Sequence, residues 1–298
     1  MLIYTVRENL IRIYKSNETV VLLVFRLLVG FLLFSVINGI GHYSEDLGFL
    51  VKPPLGFLVL LGCSLLFALL PLKYCCLPAA LMFAVQVSAS LVALGFVLLV
   101  LLLVTLFYGR LFPKQLLLIP VMMLGLYFKV PYAVVLFSGY AFGLSAIFPV
   151  ATGVFLWNML PLLNNIFGQV TSEGVSEVDV YITAFKSITV NVTWIFTAFV
   201  FAMVIFAVHI IRTLKMNYAK ELSILTGMLL LIVCFSLGAF MVDGMSLSVI
   251  GMIVSCLVSA VIVEIIAFFD SLLDYESSER VRFEDDENVY FVKIIPKR

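Results

Sequence analysis

Two ionisable residues stand inside long apolar runs, and their side chains are the first place to look for chemistry. Arg26 lies in ETVVLLVFRLLVGFLLFSVI and Glu264 in VSAVIVEIIAFF. At the rise of an α-helix, Arg26 is roughly 10 Å and Glu264 about 7 Å inside the inner ends of those runs. A charge within a membrane segment is a functional site by default. Their similar depth suggests an ion pair that gates a pathway from the inner side, or a carboxylate that exchanges protons. A static tie between the first and last helices, or two side chains snorkelling to the interface, accounts for both more simply.

A second group is uncharged or isolated. Gln86, Ser88, Ser90, Lys129 and Asn158 interrupt apolar stretches and are the candidate lining of a cavity. Interhelical hydrogen bonding explains such polar residues without a ligand. Asn191-Val192-Thr193 matches a glycosylation acceptor, but it falls at or inside a span. Trp157, Trp194, Tyr127, Tyr132 and Tyr181 fit anchoring at the membrane interface.

Catalysis is not expected. Only two histidines are present, His42 and His209, and they fall towards opposite sides of the membrane. No HExxH, GxSxG, Walker A or dinucleotide fingerprint occurs. Cys63, Cys75, Cys76, Cys234 and Cys256 have neither CxxC nor Cys/His spacing, so no metal site, disulfide framework or cofactor is indicated. They read as small packing residues. Any energy from ATP would have to come from a separate chain.

The elements that must hold these residues follow from composition. The 298 residues are 63% hydrophobic and 12% charged, with a mean hydropathy of +1.19. Soluble domains have roughly 45–50% apolar residues and about 25% charged ones, so a soluble core is excluded. Near-uncharged runs of transmembrane length recur along the chain. The expected fold is an all-α polytopic integral membrane protein of about eight transmembrane helices, within a range of seven to ten. Residues 1–16 read as an amphipathic helix on the inner leaflet, 17–270 as the transmembrane domain and 271–298 as a cytoplasmic tail. The start does not read as a cleavable signal peptide.

Residues 113–163 are the irregular part. They hold Pro113, Pro120, Pro131, Pro149 and Pro161, half of the chain's 10 prolines, with only Lys114 and Lys129 charged. Gln115–Phe128 and Tyr132–Gly143 are each too short for a straight crossing, reaching roughly 20 Å. They read as short tilted spans or as re-entrant half-helices meeting at Lys129-Val130-Pro131. The run Ile147–Leu163 is interrupted by Pro149 and Pro161, and an acidic loop follows from Asn164 to Lys186.

Basic residues after the spans, Arg212, Lys215 and Lys220 among them, place both termini in the cytoplasm. An even number of crossings follows. Eight arises when 77–108 crosses once and 131–163 makes one net crossing; ten arises when both regions split. The eight-crossing version puts Lys129 inside, and the ten-crossing version puts Arg110 and Lys114 inside. In the tail, Arg280–Glu284 alternates and Val289–Ile295 is β-rich, which predicts a small hairpin that must dock on something.

Two functions are compatible with this pattern. One is a transporter or permease-like subunit for a small neutral or amphipathic substrate, its path running through 77–163. The other is a non-transporting scaffold that recruits a soluble protein, an ATPase or another, through its cytoplasmic helix and hairpin. The expected partners are the lipid bilayer and that cytoplasmic protein, with no nucleic acid, and the expected location is the plasma membrane.

Overall fold

The structure, a computed structural model, describes residues 16–40, 55–82, 92–170, 182, 186, 192–214, 218–241, 248–270, 279–284 and 289–294. The expected N-terminal amphipathic helix lies outside them. The helices are α1 (Glu18–Ile40), α2 (Leu55–Leu69), α3 (Val92–Leu111), α4 (Leu118–Tyr127), α5 (Pro131–Ala141), α6 (Ile147–Val170), α7 (Val192–Thr213), α8 (Ala219–Met241) and α9 (Val249–Asp270). Short 3-10 turns at Leu72–Tyr74, Gln115–Leu117 and Gly143–Ala146 connect some of them. Two strands, β1 (Glu279–Glu284) and β2 (Val289–Ile294), pair antiparallel with Glu279 opposite Ile294 and Glu284 opposite Val289.

Among the described residues, four helices are long and apolar enough to cross a membrane: Glu18–Gly39 of α1, all of α7 and α8, and Val249–Phe269 of α9. They also show apolar residues on their outward faces, such as Phe199, Phe206, Leu229, Val233 and Ile250. A helix that is apolar all round is buried in protein or in lipid. The chain is therefore an α-helical integral membrane protein.

The prolines of 113–163 punctuate helices more than they break them. Pro131 is the first residue of α5, and Pro120 and Pro149 sit in the first turns of α4 and α6. First-turn N–H groups have no intrahelical partner, so nothing is lost by removing one there. Contrary to the expected interruption, α6 runs unbroken through Pro149 and Pro161 and continues through Asn164 to Val170, seven residues beyond the expected end at Leu163. A Pro161 kept inside a helix at this depth is tolerated where neighbouring groups cover the freed carbonyl.

The centre of the bundle is the hairpin of α4 and α5. Its arms have only 10 and 11 residues, and each is walled in by longer helices. Val135, Leu136 and Tyr140 of α5 pack with Val204, Ile205 and Val208 of α7 and Ile224 of α8 in one apolar cluster. Ile119 and Leu124 of α4 join a second cluster with Val29 and Phe34 of α1 and Phe67 of α2. The hairpin thus touches both halves of the molecule. Gly139 allows α5 to lie directly on α7, since a Cβ there would stand 3.2 Å from the Ile205 carbonyl oxygen and 3.0 Å from Val208 Cβ.

These contacts generate two opposed stability predictions. Leu136→Ala empties a fully buried site and should cost about 2–5 kcal/mol, whereas Leu229→Ala, 55% exposed, should cost far less. Ser259 has a buried hydroxyl with no hydrogen-bond partner, so Ser259→Ala should be neutral or stabilising. Thermal unfolding of the purified protein in detergent measures all three.

Candidate functional site

The two roots of the hairpin are pinned together at one end of the bundle. Tyr108, in the last turn of α3, donates its hydroxyl to the Ser145 carbonyl and has Gln115 Oε1 2.8 Å away. Gln115 Nε2 donates to Ser145 Oγ at 2.6 Å, and Ser145 Oγ donates to the Phe142 carbonyl at 3.0 Å. Gln115 precedes α4 and Ser145 follows α5, so one aromatic hydroxyl clamps the entry and exit of the hairpin to α3. Gly143 makes the turn after α5 with a φ of +69°, and a Cβ there would lie 2.6 Å from His209 Nδ1. His209 is therefore packed under this turn near the end of α7. Arg212 stacks over Tyr140 at 4.2 Å, and Lys73 carries the carbonyl 3.1 Å from a Cβ built on Gly109. Lys73, Arg110, Lys114 and Arg212 consequently share this end.

The tip points the other way. Val130 N–H donates to the Gly125 carbonyl at 2.7 Å and Lys129 N–H to the Leu126 carbonyl at 3.2 Å. This is the paired bonding that ends a helix through a left-handed residue, and Lys129 is that residue, with a φ of +59°. Glycine is usual there; a side chain in that conformation costs roughly 1–2 kcal/mol. Ser255 Oγ donates to the Lys129 carbonyl at 3.1 Å. Ser255 is six residues into α9, which puts the tip about 9 Å below the far end of that helix. Tyr132, beside the tip, packs edge-on against Phe201 and Phe235, and Tyr127 against Trp157. Tyr132 is 8% exposed, so it is a core residue and not the interfacial anchor that its type suggested.

The other sequence candidates are dispersed. Arg26 and Glu264 do not form the expected ion pair. Arg26 Nε is buried with no hydrogen-bond partner, and the guanidinium lies within electrostatic reach of Cys75. Glu264 faces a second acid, Glu221, at the start of α8. It borders an apolar groove of about 410 Å³ lined by Leu225, Met228, Leu257, Ala260 and Phe268. Depth along a helix says nothing about which way a residue faces, so similar depths do not make a pair. Asn158 Nδ2 donates to Val154 of its own helix at 2.8 Å, which leaves its amide occupied locally. Gln86, Ser88 and Ser90 lie outside the described residues. Of the two described cavity candidates, Lys129 is at the hairpin and Asn158 is not.

Sequence reasoning overlooked the turn after α2. Cys75 Sγ and Cys76 Sγ are 3.8 Å apart, and Cys76 Sγ has the Leu116 carbonyl 3.4 Å away. Cys75 is buried and Cys76 half-buried. The hydrogen bond with Cys76, helped by the charge of Arg26 and opposed by burial, lowers the Cys75 thiol from its ordinary value. Cys76 moves the other way, raised by that same bond and by burial. The adjacency itself was the available signal. A second cleft, about 340 Å³, lies between α1, α2 and residues 77–82 and is lined by Asn38, Gly56, Cys63, Leu70 and Met82.

Comparison of the chain with protein-family models, with curated proteins and with solved structures returns no match.

The root geometry is testable by substitution. Gly143→Ala should destabilise the protein by roughly 2–5 kcal/mol, combining the left-handed backbone with the overpacked His209 ring. Adding His209→Ala should recover only the packing part. A double-mutant cycle on thermal unfolding separates the two.

Proposed function

We propose that the chain is a permease-like membrane subunit in which the α4–α5 hairpin lines or moves along the path of a small neutral or amphipathic substrate. The observation that carries this reading is the tip. Two helices too short to cross meet at a Lys129 held in a costly backbone conformation, their arms buried among longer helices while Tyr127, Phe128 and Lys129 at the tip are exposed. Discontinuous helices that meet inside the bundle are a common way for transporters to build a site, and persistent backbone strain is concentrated at functional positions. No acidic residue occurs in 113–163, so the reading involves no ion coupling through this element, and no catalytic step.

The reading includes a topology. Lys73, Arg110, Lys114, Arg212 and Lys220 mark the cytoplasmic end. The hairpin enters and leaves at that end and does not count as a crossing. Eight crossings then come from α1, α2, α3, α6, α7, α8 and α9, with one more that the chain must make between Lys73 and the start of α3 because Lys73 and Gly109 lie at the same end. Both termini are then in the cytoplasm of a cell whose plasma membrane holds the protein. This keeps the number eight but distributes it differently from the sequence-based partition. Single cysteines at Arg110 and Lys114, in an otherwise cysteine-free chain, should react with an impermeant maleimide only after the membrane is permeabilised. Labelling of intact cells at either position would overturn this topology.

Flux is the direct test. Proteoliposomes holding the purified chain would be screened for release of amino acids, sugars and short peptides, and for movement of labelled lysolipids between leaflets. At least one class should move about tenfold faster than in protein-free liposomes. A disulfide between Lys129→Cys and Ser255→Cys, which tethers the tip to α9, should abolish that flux, and a reductant should restore it. No flux of any class from folded protein would favour the scaffold reading, for which the β1–β2 pair is the specific support. A lone two-stranded sheet is marginal in water and gains from a partner. Deleting residues 277–298 should then release a co-purifying cytoplasmic protein while membrane insertion persists.

A further inference from the structure

The turn after α2 places two sulfurs within electrostatic reach of a half-buried cation. Cys75 and Cys76 present Sγ atoms 3.8 Å apart. Arg26, reaching the same place from α1, keeps a buried Nε without any hydrogen-bond partner. Arg26 as a whole is half-buried, and a guanidinium partly withdrawn from water is stabilised by an anion beside it. Two neutral thiols do not supply one.

We propose that Cys75 and Cys76 bind one soft monovalent metal ion of the copper(I) class as a bis-thiolate, and that Arg26 neutralises the complex. The sulfur geometry allows it: thiolate–metal bonds of about 2.3 Å reach at most about 4.6 Å across one ion, so sulfurs at the observed separation bracket it with a small adjustment. Donor type selects the metal. Thiolates prefer soft ions, and among the described residues no group of three or more His, Cys, Asp or Glu side chains is placed to hold one. A four-donor zinc cage is thus not on offer, whereas a two-coordinate ion is satisfied by the pair.

The balance is closed. Two S–H bonds break, two S–metal bonds form, two protons leave to solvent, and no electron moves. The product carries one net negative charge, two thiolates less one cation, and the guanidinium supplies the matching positive charge. Half-buried Cys76 gives the ion its way in. Its deprotonation also ends its hydrogen bond to the Leu116 carbonyl, which lies 3.4 Å away in the turn leading into α4. Metal binding at this site therefore changes how the root of the central hairpin is held.

The test uses the purified full-length chain in detergent, titrated anaerobically with copper(I) against a chromophoric chelator. Wild type should hold one ion per chain, and Cys63→Ala/Cys234→Ala/Cys256→Ala should match it. Cys75→Ser and Cys76→Ser should each lose the ion. Arg26→Gln should weaken binding roughly 10–100-fold, the usual effect of removing a partner behind the ligands, and Arg26→Lys should recover most of it. Wild-type protein treated first with phenylarsine oxide, which caps paired thiols, should bind no copper until a dithiol removes the cap; this arm needs no variant to fold. Full binding by either serine variant, loss in the triple alanine variant, or binding that survives phenylarsine oxide would overturn the site. An Arg26→Gln affinity equal to wild type would overturn the charge-balance argument.

Discussion

A chain that turns around inside a membrane protein must satisfy the backbone groups that the turn exposes, because no water is there to do it. The α4–α5 hairpin depends on meeting that condition. Val130 and Lys129 donate their N–H groups back into α4, Pro131 has no N–H to satisfy, and the Lys129 carbonyl receives the Ser255 hydroxyl from another helix. The left-handed conformation of Lys129 is what lets the first two bonds form together. At the opposite end, the carbonyls of Phe142 and Ser145 are answered by side-chain hydroxyls. Both ends of the hairpin are thus closed electrostatically before packing is considered.

Packing then makes the hairpin the joint between two cores. The α5 arm belongs to the cluster of α7, α8 and α9, while α4 faces α1 and α2. The two arms also pack against each other: a Cβ on Gly125 would stand 2.9 Å from Val134 Cγ2. A displacement of one core is carried to the other through this pair of short helices. Interiors this closely packed do not deform smoothly, so an alternative arrangement would involve the hairpin shifting as a unit.

Much of the architecture was legible in the sequence because hydrophobic runs in a membrane protein are long and charges mark their ends. Glu18 stands in the first turn of α1 and Glu221 in the first turn of α8, so a charge marks where each apolar run begins. The two short pieces were also recognisable from Pro131 and from their length. What stayed hidden depends on direction and not on position. Arg26 and Glu264 have similar depths but face different neighbours. Lys129 carries no sign of a left-handed conformation, since glycine is the usual marker. Tyr108, Gln115 and Ser145 are ordinary polar residues until the chain brings them together across 37 positions. Pro161 reads as a break because proline removes an intrahelical hydrogen bond, yet α6 continues through it to Val170.

The Ser255 bond has a consequence for how the protein is made. Residues enter the membrane in order, and among the described helices α9 is the last to arrive. When Lys129 leaves the ribosome, 126 more residues must be synthesised before the group that caps its carbonyl exists. The walls contributed by α7 and α8 are also still to come. The hairpin can therefore reach its final place only near the end of synthesis, after waiting at the membrane surface or in the care of the insertion machinery. Completion of the centre is in this way a report that translation has passed Ser255.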